Sequence, residues 1–423
     1  MLVFVLLIIF YLGAPVLIIY LTQLSGTLNK IGAVILAYIV GLVIGNTGIF
    51  PAPTMTLRTL LGEKTSVSPA HLLPYLERGE ISQSDFFANQ IAGIQDLLIT
   101  IVIPLAIPLL LFSMDIRHWL KFAKGAMLSL VLGVLSLLLV IFAGFFWFKD
   151  EIPDLWKISG MLVGVYTGGT PNLAAIGTAL EVDPAIFVLT HTYEMIAGGI
   201  ALIFLLTFAQ KIFNLFLPEF TKQEHQAGNT LTNQERGEMD SFEGILKRKN
   251  IIPLLKALSL SGLIFAIGVV LSLLVREQEK MLVVVLTITS LGLLASMIKN
   301  VNRIDKTFQL GMYFVIVFSL VVASMGDLRS MFNMDFLHLF VLVAFGIFGS
   351  MVVHVFLAWI FKVNTDTTII TITALTYSPP FVPVVAGALR NKDVIITGLT
   401  TGVIGYAIGN YLGFFVAYIL KGF

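Results

Sequence analysis

Polar and helix-breaking residues stand together inside an apolar stretch, residues 160–180 (GMLVGVYTGGTPNLAAIGTAL). Adjacent glycines free the backbone, and a proline removes a donor and clashes with the preceding helical turn. Free amides at a broken helix suit an anionic group, whereas freed carbonyls with Thr and Asn oxygens suit a small hard cation. A plain proline kink is the alternative, but it needs fewer polar residues. We therefore predict that the break binds a solute or ion through Thr167, Gly168, Gly169, Thr170, Pro171 and Asn172.

A second apolar stretch near the C-terminus is broken in the same way. Residues 369–389 read IITITALTYSPPFVPVVAGAL, with consecutive prolines at the break. Prolines have no N–H, so this break offers carbonyls and hydroxyls rather than a set of amides. Two breaks at corresponding places are the strongest functional signal in the chain, and the second one predicts binding residues Thr376, Tyr377, Ser378 and Pro379.

Three ionisable residues could couple transport to an ion. His191 and Glu194 lie at i, i+3 on one helix face within an apolar run, where charged groups are costly and mark functional sites. They could bind a proton or a sodium ion, or they could pair with each other near the membrane surface. Asp96 on the third apolar run is a coupling carboxylate or an interfacial residue. His354, alone on an apolar helix, is expected to be a satisfied buried histidine.

Composition places the chain in a membrane and argues against enzyme chemistry. It is 57% hydrophobic and 12% charged, whereas soluble domains carry about 25% charged residues. The absence of cysteine excludes disulfides, iron–sulfur clusters and thiol catalysis. The motifs of hydrolases, zinc proteases and nucleotide-binding loops are missing. We expect a non-enzyme without a resident cofactor or metal, with Na⁺ as a candidate coupling ion. The net charge of +1 gives no reason to expect a nucleic-acid partner.

Apolar runs of spanning length predict the membrane helices. They lie at residues 2–21, 31–50, 91–112, 120–148, 184–213, 252–275, 281–297, 309–325, 336–361 and 394–420. No basic segment precedes the first run, which indicates a retained helix rather than a cleaved signal peptide. Polar segments at 52–84 and 221–250 interrupt the runs. The fold class predicted is therefore an all-α polytopic membrane protein.

The chain divides into two similar halves: residues 1–213 form a first membrane repeat, 214–250 a polar linker and 251–423 a second repeat. If each broken stretch re-enters on the side it came from, each half has about five crossings and the two repeats are inverted. This arrangement collects most basic loop residues on one side, which the positive-inside rule makes cytoplasmic. It predicts that both termini lie outside and the linker inside. If every element crosses, the repeats are parallel instead.

The motif VYTGGTPNLAAIG at 165–177, followed by GYAIGN at 405–410, resembles the YjcL-like membrane proteins, domain-of-unknown-function family 819. The likeness extends over essentially the whole chain. The family is similar in layout to cation/proton antiporters, bile-acid symporters and glutamate– or citrate–sodium symporters. The resemblance implies a scaffold domain, a mobile core domain and elevator-like transport. This chain lacks the paired aspartates of the antiporters, which argues against proton antiport.

The sequence therefore predicts an ion-coupled secondary active transporter of a small organic solute, an amino acid or a carboxylate, in the cytoplasmic membrane. The alternative is a monovalent cation/proton antiporter, and a second alternative is a channel or a membrane scaffold without transport. The expected partners are the solute and the lipid bilayer, and a homodimer is left open.

Overall fold

The computed structural model describes residues 2–25, 28, 32–61, 65–113, 124–220, 242–245, 247–276, 280–326, 337–377, 379–391 and 393–423. Within these ranges every regular element is a helix, as the apolar runs predicted. Most of the polar linker and Ser378 of the second break lie outside them.

The helices of the first half follow the predicted runs and break where the glycine-proline motif stands. They are α1 (Leu2–Leu24), α2 (Ala33–Asn46), α3 (Met55–Leu61), α4 (Pro69–Glu77), α5 (Gln83–Phe112), α6 (Lys124–Phe148), α7 (Leu155–Gly168), α8 (Thr170–Ala179), α9 (Pro184–Thr207) and α10 (Ala209–Phe213). The short helices α3 and α4 lie in the polar connection at residues 52–84.

The helices of the second half are interrupted at the consecutive prolines. Its helices are α11 (Arg248–Ser272), α12 (Lys280–Ser296), α13 (Lys299–Asn302), α14 (Thr307–Ser324), α15 (Leu337–Ala344), α16 (Ser350–Ile360), α17 (Thr365–Tyr377), α18 (Val382–Ala388) and α19 (Val394–Leu420). A π-helix at Phe345–Gly349 joins α15 to α16, and a 3₁₀ turn at Pro379–Phe381 joins α17 to α18.

Eight helical segments among the described residues are long and apolar enough to cross a membrane. They are Val5–Leu24, Gln83–Phe112, Met127–Phe148, Pro184–Thr207, Arg248–Ser272, Thr307–Ser324, Leu337–Ile360 and Thr397–Leu420. The apolar helices α2 and α12 are shorter. Large apolar side chains such as Leu17, Val270 and Phe415 stay exposed on these helices. Such surfaces indicate contact with lipid, so the chain is a membrane protein with several apolar helices.

The chain folds as two compact units. Unit 1 comprises Met1–Ala106, Asp183–Leu189 and Met312–Asn333. Inside it, a buried polar triad joins three helices: the Gln95 amide donates to the Tyr11 hydroxyl at 2.9 Å and to the Ser324 hydroxyl at 3.0 Å, and the two hydroxyls are 2.8 Å apart. Because unpaired polar groups are costly in an apolar interior, this network favours one arrangement of α1, α5 and α14.

Unit 2 comprises Ile107–Val182, Thr190–Gly311 and Met334–Phe423. It contains both broken stretches, the greater part of α9 and the whole of α19. The buried faces of α7 and α17 are nearly continuous around the helix. A helix that is apolar or buried on all sides lies in the interior of a protein or membrane bundle, so the two breaks are internal features of unit 2.

Candidate functional site

The first broken stretch forms a helical hairpin. Gly169 adopts φ +74° between α7 and α8, a conformation that side chains other than glycine rarely allow. Gly160 of α7 and Ile176 of α8 both lie against Gly413. In a straight helix these two residues would be about 24 Å apart. At the open end, Lys157 Nζ donates to the Glu181 carbonyl at 3.4 Å. The chain therefore turns back on itself at the glycine pair.

The second broken stretch also doubles back, and its open end is held by a buried carboxylate. Asp366, at the start of α17, accepts hydrogen bonds from Asn391 Nδ2 at 2.8 Å and from Gln210 Nε2 at 2.9 Å. The Gln210 amide also donates to the Leu389 carbonyl at 3.4 Å, just after α18. The beginning and the end of this stretch thus meet at one place, which makes α17 and α18 a second hairpin.

The two hairpins pack on α19 from its opposite ends. Near the C-terminal end of α19, Gly160 of the first hairpin lies against Gly413 and Ala417. Near the N-terminal end, Ile370 and Val382 of the second hairpin both lie against Gly398. The open ends of the hairpins therefore lie at opposite ends of the same helix, and their closed ends point toward its middle.

The closed ends of the hairpins, hereafter the tips, meet at glycines in the middle of α19. The Thr167 carbonyl of the first tip lies directly against Gly405, and Leu375 of the second hairpin is in van der Waals contact with the same position. Pro379 of the second tip lies against Gly402. Gly405, Gly409 and Gly413 all allow close packing of the hairpins on α19.

The polar side chains of the first tip form hydrogen bonds mainly with backbone carbonyls. Thr167 Oγ1 donates to the Val163 carbonyl at 2.7 Å. The Asn172 side chain folds over Gly168 and Gly409, and its amide approaches the Tyr406 carbonyl at 3.5 Å. Asn172 therefore has a packing role in the apolar interior, in addition to the ligand contact that its sequence position predicts.

The amides of this tip are largely used within the fold. The Gly169 N–H donates to the Val165 carbonyl at 2.7 Å. The N–H groups of Asn172 and Leu173 donate to the Gly169 carbonyl at 3.1 and 3.3 Å. Pro171 has no N–H. The predicted anion site on the α8 amides therefore rests on Thr170, the first residue of that helix.

The predicted ionisable pair lies beside the second tip. His191 Nδ1 and Glu194 Oε2 are 3.3 Å apart, and both side chains are buried. The Tyr377 hydroxyl donates to the Gly198 carbonyl at 2.8 Å, and a Cβ placed at Gly198 would be 3.5 Å from both Glu194 Oε1 and Tyr377 Cε1. Tyr377 of the second break thus contacts α9 within one turn of Glu194.

A tyrosine of the first tip completes the group. The hydroxyls of Tyr166 and Tyr377 both lie within electrostatic range of Glu194. We call Tyr166, His191, Glu194 and Tyr377 the tip cluster. It combines a carboxylate, an imidazole and two phenol hydroxyls in an apolar interior, which suits a proton or a small cation. Tyr166 directly precedes the residues predicted for the first break. The hairpin that brings it toward Glu194 is a tertiary feature.

The remaining predicted residues have other surroundings. Asp96 belongs to unit 1, where its Oδ2 accepts hydrogen bonds from Thr65 Oγ1 at 2.6 Å and Ser66 Oγ at 2.7 Å. These bonds fasten the connection after α3 to α5. Its predicted coupling role remains a prediction, with a structural role now beside it. Among the residues that the structure describes, no three His, Asp or Glu side chains gather as a metal site.

Comparison with known proteins agrees with this membrane architecture. Residues 60–423 match the family described as "Protein of unknown function (DUF819)". A curated relative, the "Uncharacterized membrane protein YjcL" of Bacillus subtilis (strain 168), is 25% identical over 335 residues, which cover 74% of this chain and 81% of the relative. With most of its length matched by the family, from the end of α3 through both hairpins to residue 423, this chain belongs to the DUF819 family of membrane proteins.

Proposed function

We propose that the protein is an ion-coupled secondary active transporter of a small organic solute, an amino acid or a carboxylate. The observation that carries this proposal is the meeting of two opposed hairpin tips halfway along α19, beside the buried Glu194. Broken helices that end near the membrane midplane are the way many secondary transporters build substrate and ion sites. Irregular backbone at that depth requires protein or a water-filled cavity around it.

The coupling ion is assigned to the tip cluster. A carboxylate buried in a membrane protein is costly unless it binds a proton or a cation, and Glu194 has only the adjacent His191 as an ion-pair partner among the pairs described. Glu194 would therefore hold a proton or Na⁺, with the tip carbonyls and the tyrosine hydroxyls supplying further ligands. We propose no enzyme activity and no resident cofactor.

The same pair favours one alternative, a monovalent cation/proton antiporter. A carboxylate beside an imidazole is sufficient to exchange a proton for a cation without any organic solute. The two proposals differ in whether a solute binds at Thr170 and Asn172. A channel or a scaffold without transport would require neither solute binding nor Glu194.

The arrangement of the hairpins supports inverted repeats. Counting the apolar helices and treating each hairpin as re-entrant gives about five crossings per half, and the hairpins approach α19 from opposite ends. We propose both termini outside, the polar linker in the cytoplasm and elevator-like movement in the cytoplasmic membrane. A homodimer is compatible with this proposal but is not required by it.

A thermal-shift screen of the purified protein tests the function directly. Amino acids and carboxylates are added in sodium or in potassium buffer, because a ligand that binds the native state raises Tm. The proposal expects at least one solute to raise Tm, more strongly with the coupling ion. A cation that stabilises the protein while no solute does would favour the antiporter, and the absence of any ligand effect would contradict transport of these solutes.

A further inference from the structure

A small cavity lies in unit 2 next to the tip cluster. Its volume is about 20 Å³, and its walls come from α6, α16, α17 and the tip of the first hairpin. Four of the side chains that line it are polar: Tyr166, Ser350, His354 and Thr376. A cavity needs about 10–15 Å³ of probe-occupied volume to hold one water molecule. The space is therefore large enough for one water and too small for an organic solute.

The buried hydroxyl of Tyr166 is a reason to expect a bound water in this cavity. The residue is 3% exposed, and its hydroxyl has no hydrogen-bond partner among the described residues. A buried hydroxyl without a partner destabilises the fold, and such groups in native proteins are usually bound by ordered water. The Tyr166 side chain lines the cavity, so a bound water can meet this need.

His354 is a second polar residue in the cavity wall. It is 2% exposed, and its Nε2 lies 3.3 Å from Ser129 Oγ. Its other edge faces Gly133, a glycine of the cavity wall: a Cβ there would be 3.1 Å from Cε1 and 3.3 Å from Nδ1. The Nδ1 edge of the ring thus lies beside Gly133, which lines the cavity together with His354. The sequence predicted a buried histidine with a hydrogen-bond partner, and Nε2 has one in Ser129. Nδ1 is the nitrogen that a bound water could contact.

The π-helix shapes this wall. Gly346, within Phe345–Gly349, packs on the Tyr166 ring, where a Cβ would be 3.2 Å from Cε2. A π-helical turn inserts a residue and changes the register of the side chains that follow it, and such turns often occur at functional sites. The residues that follow it, Ser350 and His354, are the ones that line the cavity.

We propose that this cavity binds one water molecule that bridges the Tyr166 hydroxyl and the His354 imidazole, with the Thr376 hydroxyl as a further partner. A bare cation is disfavoured because none of the lining side chains is acidic, and an uncompensated charge in an apolar interior is very costly. The water joins Tyr166, a member of the tip cluster, to His354 on α16. It also ties the first tip to α16 and α17.

The sign of a stability change tests the proposal. Tyr166→Phe removes only the hydroxyl. If water satisfies that hydroxyl, the variant loses its hydrogen bond and leaves the water with one partner fewer, so Tm falls by about 1–2 °C. If the cavity is dry, the variant removes an unsatisfied polar group and Tm rises or stays unchanged, which would overturn the proposal. Tyr20→Phe, at a tyrosine that is 55% exposed on α1, is the control and should not change Tm.

Two further measurements keep the test independent of folding yield. The Tm effects of Tyr166→Phe and His354→Leu should be non-additive in the double variant, because either change releases the same water. Additive effects would contradict a shared partner. A high-resolution structure of the purified protein should show ordered density about 2.7–3.0 Å from the Tyr166 oxygen. An empty cavity at that resolution would also overturn the proposal.

Discussion

The carbonyl oxygen of Thr167, at the tip of the first hairpin, lies directly against Gly405 in the middle of α19. A Cβ at position 405 would overlap this oxygen and would also lie 3.4 Å from Leu375 of the second hairpin. Both tips are therefore packed on one residue that has no side chain. Small residues let membrane helices approach closely and pack well. Here Gly405 brings the two broken helices to the same level of α19.

Gly405→Ala should therefore destabilise the protein although alanine is the better helix former. The overlap with a backbone carbonyl cannot be relieved by a rotamer change, so we expect a cost of about 1–3 kcal/mol and a lower Tm. Gly262→Ala in α11 is the matched control, because nothing lies within 4 Å of a Cβ there. The control should be neutral or slightly stabilising. Equal effects of the two changes would contradict the packing of the tips on α19.

The closure of the second hairpin can be tested at its open end. Asp366→Ala would leave the Asn391 side-chain amide without its acceptor in a partly buried place. The Gln210 amide would keep only its longer bond to the Leu389 carbonyl, so we expect a cost of about 1–3 kcal/mol. Lys157→Ala at the open end of the first hairpin removes a weaker contact near solvent and should cost less than about 1 kcal/mol. The comparison is measured by thermal unfolding of the purified variants. A larger loss for Lys157→Ala would reverse the expected order.

Ligand binding at the first tip can be separated from packing. Thr170→Ala should keep the Tm of the ligand-free protein and abolish the shift caused by an active solute. Asn172→Ala should abolish that shift too, and it should also lower the ligand-free Tm, because Asn172 fills space between Gly168 and Gly409. Thr178→Ala, in the same helix but away from the tip, is the control. If both tip variants retain the full ligand shift, the site lies elsewhere.

The membrane helices could be predicted from the sequence because spanning length and hydropathy are local properties. Each predicted apolar run contains a helix, and the last run, Val394–Leu420, has the predicted bounds. The two short helices after the second run could not be found this way. They are held by a small cluster around Leu57 and Leu72 and by Asp96, which are contacts made only in the folded chain.

The candidate site could be predicted in part. Glycine and proline chemistry marks both breaks, and the spacing of His191 and Glu194 places them on one helix face. The direction of the chain after each break depends instead on tertiary contacts, such as those of Gly160 and Ile176 with Gly413. The association of Tyr166 with Glu194 depends on that direction, so no local pattern could have revealed it.

The proposed topology gives a prediction outside the hairpins. The chain has no cysteine, so single cysteines report accessibility without background. A cysteine at position 230, in the polar linker, should react with a membrane-impermeant reagent only after the cells are opened. A cysteine introduced after position 423 should react from outside. Labelling of position 230 in intact cells would contradict inverted repeats with both termini outside.

The most direct test of ion coupling at the tip cluster is transport by Glu194→Gln in proteoliposomes, with a solute identified by thermal shift. Exchange of solute across the membrane needs no net ion movement, so the variant should retain it. If the proton is the coupling ion, the pH gradient should no longer drive uptake; if sodium is, sodium binding should weaken. Glu181→Gln, at an exposed acid of the first hairpin, should behave as wild type. Exchange and uptake by Glu194→Gln with unchanged dependence on both gradients would contradict the account and leave coupling to the hydroxyls and carbonyls of the two tips.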